Sequence, residues 1–144
     1  AHFVRSALAG DPIAIFGDGE QVRDVLHVDD ATAAYRAARE RIASVSGRAF
    51  NLGGGPANAV SLNRAIAAIG ELAGRPVACR FDAWRPGDQR WFVSDIRAAQ
   101  EALGLARPRD WRSGLADLVA WFGEDEHAAL PSTAPKRANA KEAR

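Results

Sequence analysis

Two arginines placed beside glycine turns are the residues in this sequence best equipped to hold an anion. Arg23 closes the run Gly17-Asp18-Gly19-Glu20-Gln21-Val22-Arg23-Asp24. The glycines let the backbone turn sharply there, and a guanidinium offers a planar fork that grips a phosphate through two parallel hydrogen bonds. Arg85 sits in Trp84-Arg85-Pro86-Gly87-Asp88-Gln89-Arg90, flanked by Trp84 and Trp91. Its Pro-Gly turn brings Arg85 near Asp88, the arginine suited to an anion and the aspartate to sugar hydroxyls or to orienting the arginine. On local pattern alone, Arg23 and Asp24 read first as a solvated pair at a hairpin-like turn, and such pairs stabilise little. The second motif reads as readily as a structural turn with packed tryptophans.

Other constellations are weaker. Asn51-Leu52-Gly53-Gly54-Gly55-Pro56 runs from a strand-like stretch into glycines and, after a gap, a helix. Glycine turns before helices can cradle phosphate. Here, however, no G-x-G-x-x-G opens directly into a helix and no Lys-Ser/Thr follows as a P-loop needs. A crowded strand exit fits better. Asp29-Asp30 suggests paired acid–base carboxylates, but their place ahead of a helix makes them capping residues. His27, alone in a strand-like segment, reads as packed or hydrogen-bonded, and Cys79, among alternating apolar residues, as core. His2, His27 and His127 are the three histidines, and nothing shows metal-ligand spacing, so no metal site is expected. No serine occupies a nucleophile-elbow context.

These groups must be carried by a chain of 144 residues with nineteen basic and eighteen acidic side chains and a net charge of +1. That length suits one domain. The balanced charge lacks the basic excess that counterion-driven nucleic-acid binding needs, so no nucleic-acid partner is expected. One cysteine excludes an internal disulfide framework and fits a reducing compartment. No apolar run is long enough to span a membrane and no signal peptide is visible, so a cytoplasmic protein without a membrane partner is expected. Methionine is absent even from position 1, which suggests a piece of a longer protein.

Short apolar runs alternate with amphipathic stretches. Phe3, Val4, Ala7 and Leu8 suit one face of a helix closed by Gly10 and Pro12; Ile13 to Phe16 reads as a strand ending on the Gly17-Asp18-Gly19 turn. Val25 to Val28 reads as a second extended segment. Asp29 or Asp30 would then cap a helix carrying Ala31, Ala34, Tyr35, Ala38 and Ile42, broken at Ser46-Gly47. Arg48 to Leu52 reads as another strand. Ser61 caps a helix with Leu62, Ile66, Ile69 and Leu72 on one face and Gly74 at its end. Val77, Cys79 and Phe81 alternate as a half-buried strand would. Ser94 or Asp95 caps a helix with Ile96, Ala99 and Leu103, ended by Gly104, and Leu115, Leu118, Val119 and Phe122 line a last one. The spacing predicts an α/β body over residues 1–123 and a disordered polar tail over 124–144.

In this order, the pieces resemble a known family. Pro12 through Asp30, with its Ile15-Phe16-Gly17-Asp18-Gly19 and Gln21-Val22-Arg23-Asp24, resembles the C-terminal half of the extended short-chain dehydrogenases/reductases, the NAD-dependent nucleotide-sugar epimerases and dehydratases. Phe50-Asn51-Leu52-Gly53-Gly54-Gly55, the Ser61-Leu62 helix, Arg85-Pro86-Gly87-Asp88-Gln89 and Ser94-Asp95-Ile96 follow in the family's order. The likeness covers about residues 3–122, and Trp84 to Gln89 with Gln21 to Leu26 is most similar to the CDP-paratose (CDP-tyvelose) 2-epimerase branch.

The resemblance implies a partial Rossmann-type fold: the substrate-binding portion with the last sheet elements, without the N-terminal dinucleotide-binding half. It implies that Arg23 and Arg85 contact the nucleotide diphosphate, that Asp88 serves the ribose hydroxyls, and that Ala14 to Phe16 lie against the base, with Gln21 among the substrate-binding residues. NAD would be held by the rest of the parent enzyme, because no Gly-x-x-Gly-x-x-Gly is present and Tyr35 lacks a lysine four residues on. The chain by itself is therefore expected to bind a nucleotide sugar without catalysing. The parent would be an epimerase, dimeric as is common in the family. The alternatives are a 4,6-dehydratase or a non-catalytic remnant or binding module.

Overall fold

The first helix is built by an apolar stripe and stopped by a glycine. In the computed structural model, which describes residues 1–124, α1 runs His2–Ala9 and ends on Gly10 in the left-handed region, φ 80°. Strand β1 (Ile13–Phe16) and strand β2 (Val22–Asp24) flank the glycine turn, where Gly17 and Gly19 both have positive φ. Helices α2 (Val28–Glu40) and α3 (Ile42–Val45) follow, then a 3-10 turn at Pro56–Asn58, β3 (Ala59–Ser61) and α4 (Leu62–Ala73). The chain continues through β4 (Cys79–Asp82), β5 (Trp91–Phe92), α5 (Arg97–Leu103) and α6 (Trp111–Gly123). The α/β reading holds. Of the tail expected over 124–144, residues 125–144 lie outside the described residues.

The strands form two small sheets. β1 pairs in parallel with β4, Ile13 opposite Cys79 and Phe16 opposite Asp82. β2 lies between β3, antiparallel, and β5, parallel, with Val22 opposite both Ser61 and Trp91. Ile13 and Ile15 point from β1 into a core shared with Ile66 of α4, while Ala14 and Phe16 take the other, half-buried face. Val4 and Ala7 of α1, Ile69 of α4 and Phe122 of α6 make a second apolar cluster. Ser61 caps α4 as its position before the apolar run demands, its Oγ accepting from Arg64 N at 3.3 Å, and Gly74 terminates it with φ 67°. Arg75 then donates to the carbonyls of Ala7 and Leu8, tying α4 to the end of α1.

Several expectations are corrected. Arg48 to Leu52 forms no strand: among the described residues none pairs with it, and an extended run without a neighbour leaves its ladder unmade. The second extended segment is Val22–Asp24 rather than Val25 to Val28. Val25 N still reaches Asn58 O at 3.1 Å, but the 3-10 turn replaces the partner strand there and the ladder stops. The cap of α2 is His27, whose Nδ1 accepts from Asp29 N at 3.2 Å, so Asp29 and Asp30 fall in the first turn. Tyr35, 74% exposed, stands off the Ala34 face that is buried, and Ile42 belongs to α3 and faces solvent. Phe81 is 55% exposed because β4 lies at the edge of a two-stranded sheet, while Val77, just ahead of the strand, packs inward. Neither Ser94 nor Asp95 is the cap of α5. That position is Ile96, and Asp95 instead receives the Arg97 amide at 3.1 Å.

Candidate functional site

The strand–turn–strand unit β1–β2 and the turn before β5 meet at one end of the molecule. Gln21, 7% exposed, donates through Nε2 to Phe16 O at 2.8 Å and so fixes the close of β1 across the glycine turn; its Oε1 is buried without a hydrogen-bond partner. Arg23 donates to Val22 O and, through Nη2, to Gln89 O, both at 2.7 Å. A guanidinium has five N–H donors, so those not used here remain to meet an anion. Arg85 lies over the Phe16 ring with Cζ 3.5 Å from its centroid. Arg90 stacks on Trp84 at 4.8 Å, and a side chain on Gly17 would collide with that indole. The Arg85 turn is closed by Asp88 N donating to Arg85 O at 3.2 Å, with Gly87 at φ 86°. Arg85 and Asp88 are both exposed.

The structure thus brings five of the six expected site residues into one linked group: Phe16, Gln21, Arg23, Arg85 and, on the same tight turn, Asp88. Ala14 belongs by its position two residues before Phe16 on the same face of β1. The face carries Arg85 stacked on a flat aromatic ring, with Arg23 tied to the adjoining turn through Gln89 O. It is suited to a planar, anionic ligand.

Two residues behind this group were not read as functional from sequence. Asp24 does not pair with Arg23 at the surface. Its Oδ2 accepts from Gly55 N at 3.0 Å and Ser94 N at 3.2 Å, joining the glycine run to the segment before α5. Asn58, 2% exposed, donates to the carbonyls of Gly54 and Arg109 at 3.3 and 2.9 Å and accepts from Trp111 N at 2.9 Å. The Asp in Gln-x-Arg-Asp was a visible signal for the first; nothing local marks the second.

The glycine run is crowded, as its composition implied, but it is no phosphate cradle. A side chain at Gly53 would strike Asp24 and Ser94, and one at Gly54 would strike the Val25 carbonyl. The Gly55 amide is already taken, and the run leads into a 3-10 turn rather than a helix. His27 is a helix cap, as a hydrogen-bonded histidine should be. Cys79 is half-buried against the Ile13–Ile15 core, and desolvation pushes its thiol pKa up. A cavity of about 660 Å³ lies elsewhere, between Val25–Asp29 and α6. Its polar groups satisfy one another: Arg109 meets Asp117 at 2.5 Å and Asp29 at 3.5 Å. Among the described residues no group of His, Cys, Asp and Glu could hold a metal, and no helix is long and apolar enough to cross a membrane.

The chain is similar to known proteins in sequence and in fold. Residues 1–53 match the model of the NAD dependent epimerase/dehydratase family. The chain is 31% identical over 110 residues to a CDP-paratose 2-epimerase of Salmonella typhi, covering 76% of this chain and 32% of that protein. It is 33% identical over 121 residues to a dTDP-glucose 4,6-dehydratase of Streptomyces griseus, covering 83% and 36%. Over residues 1–53 this chain carries the sequence of the NAD dependent epimerase/dehydratase family. It spans about a third of the length of these curated relatives. Among solved structures, the UDP-glucuronic acid 4-epimerase of Bacillus cereus in complex with UDP-glucuronic acid and NAD superposes with a TM-score of 0.74 at 26% identity, over 84% of this chain and 39% of that one. The α/β fold is therefore part of a Rossmann-type epimerase fold. NAD is the family's cofactor, but the described residues do not fit it: the glycine turn that could have cradled a pyrophosphate is filled by Asp24 and Val25.

Proposed function

We propose that this chain is the C-terminal, nucleotide-diphosphate-binding portion of a nucleotide-sugar epimerase of the CDP-paratose 2-epimerase kind. The observation that supports it is the tie between two motifs far apart in sequence: Arg23 donates to Gln89 O on the turn that follows Arg85, and Arg85 lies over the Phe16 ring. A diphosphate carries about two negative charges, and two forked arginines hold it with charge-assisted hydrogen bonds. Ala14 to Phe16 lie against the base, Gln21 braces Phe16, and Asp88 accepts from the ribose hydroxyls. The whole enzyme inverts one carbon of the sugar; the part assigned to this chain is holding the nucleotide. Its partner is a cytoplasmic nucleotide sugar.

Calorimetric titration of the chain with CDP, UDP and dTDP tests this. Arg23→Ala and Arg85→Ala should each weaken binding by about 1.5–3 kcal/mol, the range for a hydrogen bond to a charged group. Unchanged affinity in both variants refutes the assignment. The second reading is a 4,6-dehydratase portion, favoured by the comparable identity to the dTDP-glucose enzyme; a preference for dTDP over CDP supports it.

A further inference from the structure

We infer that Arg85 also makes the site select for the diphosphate, by covering the base platform until a diphosphate draws it away. This rests on the placement of base and diphosphate proposed above.

The guanidinium of Arg85 lies 3.5 Å from the centroid of the Phe16 ring. That is the distance of two planar groups in direct van der Waals contact, and a base inserted between them would need about twice as much. The base and Arg85 therefore compete for one face of Phe16. Arg85 is free to leave. It is exposed, stands on a short turn held by the Asp88–Arg85 backbone bond, and adjoins Gly87, around which a side chain would meet nothing within 4 Å.

A nucleoside entering this site must displace Arg85 and offers no charge in return. A nucleoside diphosphate displaces the same contact and gives the arginine a stronger partner, because a guanidinium–phosphate fork outweighs a cation–π contact at an exposed site. Arg85 thus opposes a ligand without phosphates and favours one with them. A clamp that merely waited in solvent would aid the diphosphate and leave the nucleoside untouched.

The experiment is calorimetric titration of the full chain and of Arg85→Ala and Arg85→Lys with cytidine and CDP, and with uridine and UDP. Circular dichroism on the same samples confirms that each variant is folded. In Arg85→Ala, nucleoside affinity should rise about two- to fivefold, the worth of an exposed cation–π contact, while diphosphate affinity falls on the order of tenfold to a hundredfold. Arg85→Lys should keep more of the diphosphate affinity than alanine does. Nucleoside affinity that is no higher in Arg85→Ala than in the parent overturns the inference and leaves the clamp standing. If the parent chain binds neither diphosphate, the proposed function falls first and this inference with it.

Discussion

Replacing Asp24 with alanine removes one carboxylate oxygen that accepts from two backbone amides, Gly55 N at 3.0 Å and Ser94 N at 3.2 Å. Both amides belong to buried residues, so the variant leaves two donors without partners. A hydrogen bond to a charged group contributes about 1.5–3 kcal/mol, and Asp24 is half-exposed, which places each bond at the low end. Asp24→Ala should therefore cost about 3 kcal/mol. For a chain of this size about 1 kcal/mol moves the melting temperature by roughly 4 °C, so Tm should drop by about 12 °C. Asp24→Asn keeps an acceptor oxygen but not the charge, and should lose about half as much. Thermal and urea unfolding of the full chain, followed by circular dichroism, measures both. An alanine variant within about 1 kcal/mol of the parent would show that the glycine run and the segment before α5 are held together by something other than Asp24.

Asn58→Ala should cost about 3 kcal/mol in the same urea experiment, since it strips partners from the Trp111 amide and two carbonyls in the interior; a loss below about 1 kcal/mol refutes the reasoning. Asp95 is held by hydrogen bonds from the Arg97 side chain and amide, which lower its pKa to about 2. The fold thus favours the ionised form, and the pair's contribution is complete above the ordinary value of 3.8 and lost as pH falls toward about 2. A carboxyl NMR titration should find that low midpoint, and Arg97→Ala, which removes the guanidinium but keeps the amide, should raise it part of the way back; the same midpoint in both proteins contradicts the assignment.

The helices were largely legible because several carry their own punctuation. Ser61 and Gly74 bracket α4 and Gly10 and Gly104 end α1 and α5, so short-range chemistry alone locates them. The strands were less so. Arg48 to Leu52 has strand composition, but a strand is a property of two segments, and no described neighbour supplies the second. The β2 boundary was displaced because its end is set by where Asn58 turns away, a residue more than thirty positions later. In the site, Arg23 and Arg85 could be read from residue type and turn context. That they share one end of the molecule could not, because Gln89 and Phe16 reach them through tertiary pairing. Asp24 was seen as the partner of its neighbour Arg23. Its true partners, two backbone amides, have no signature in a sequence at all.

Both sheets are completed late in the chain. β1 has Cys79–Asp82 as its only partner among the described strands, and β2 gains its parallel neighbour only at Trp91–Phe92. Closing such loops demands entropy before any contact rewards it, which makes parallel pairing slow to form. During synthesis the glycine turn emerges before β4, so β1 has no described strand to pair with until Cys79–Asp82 has been made, although β2 can already meet β3. Ile13 and Ile15, later buried, have only α4 to cover them in that interval. The tempo of assembly is then set by the arrival of β4, and a chaperone that shields β1 should raise the yield of native protein more than one acting on the self-capped helices.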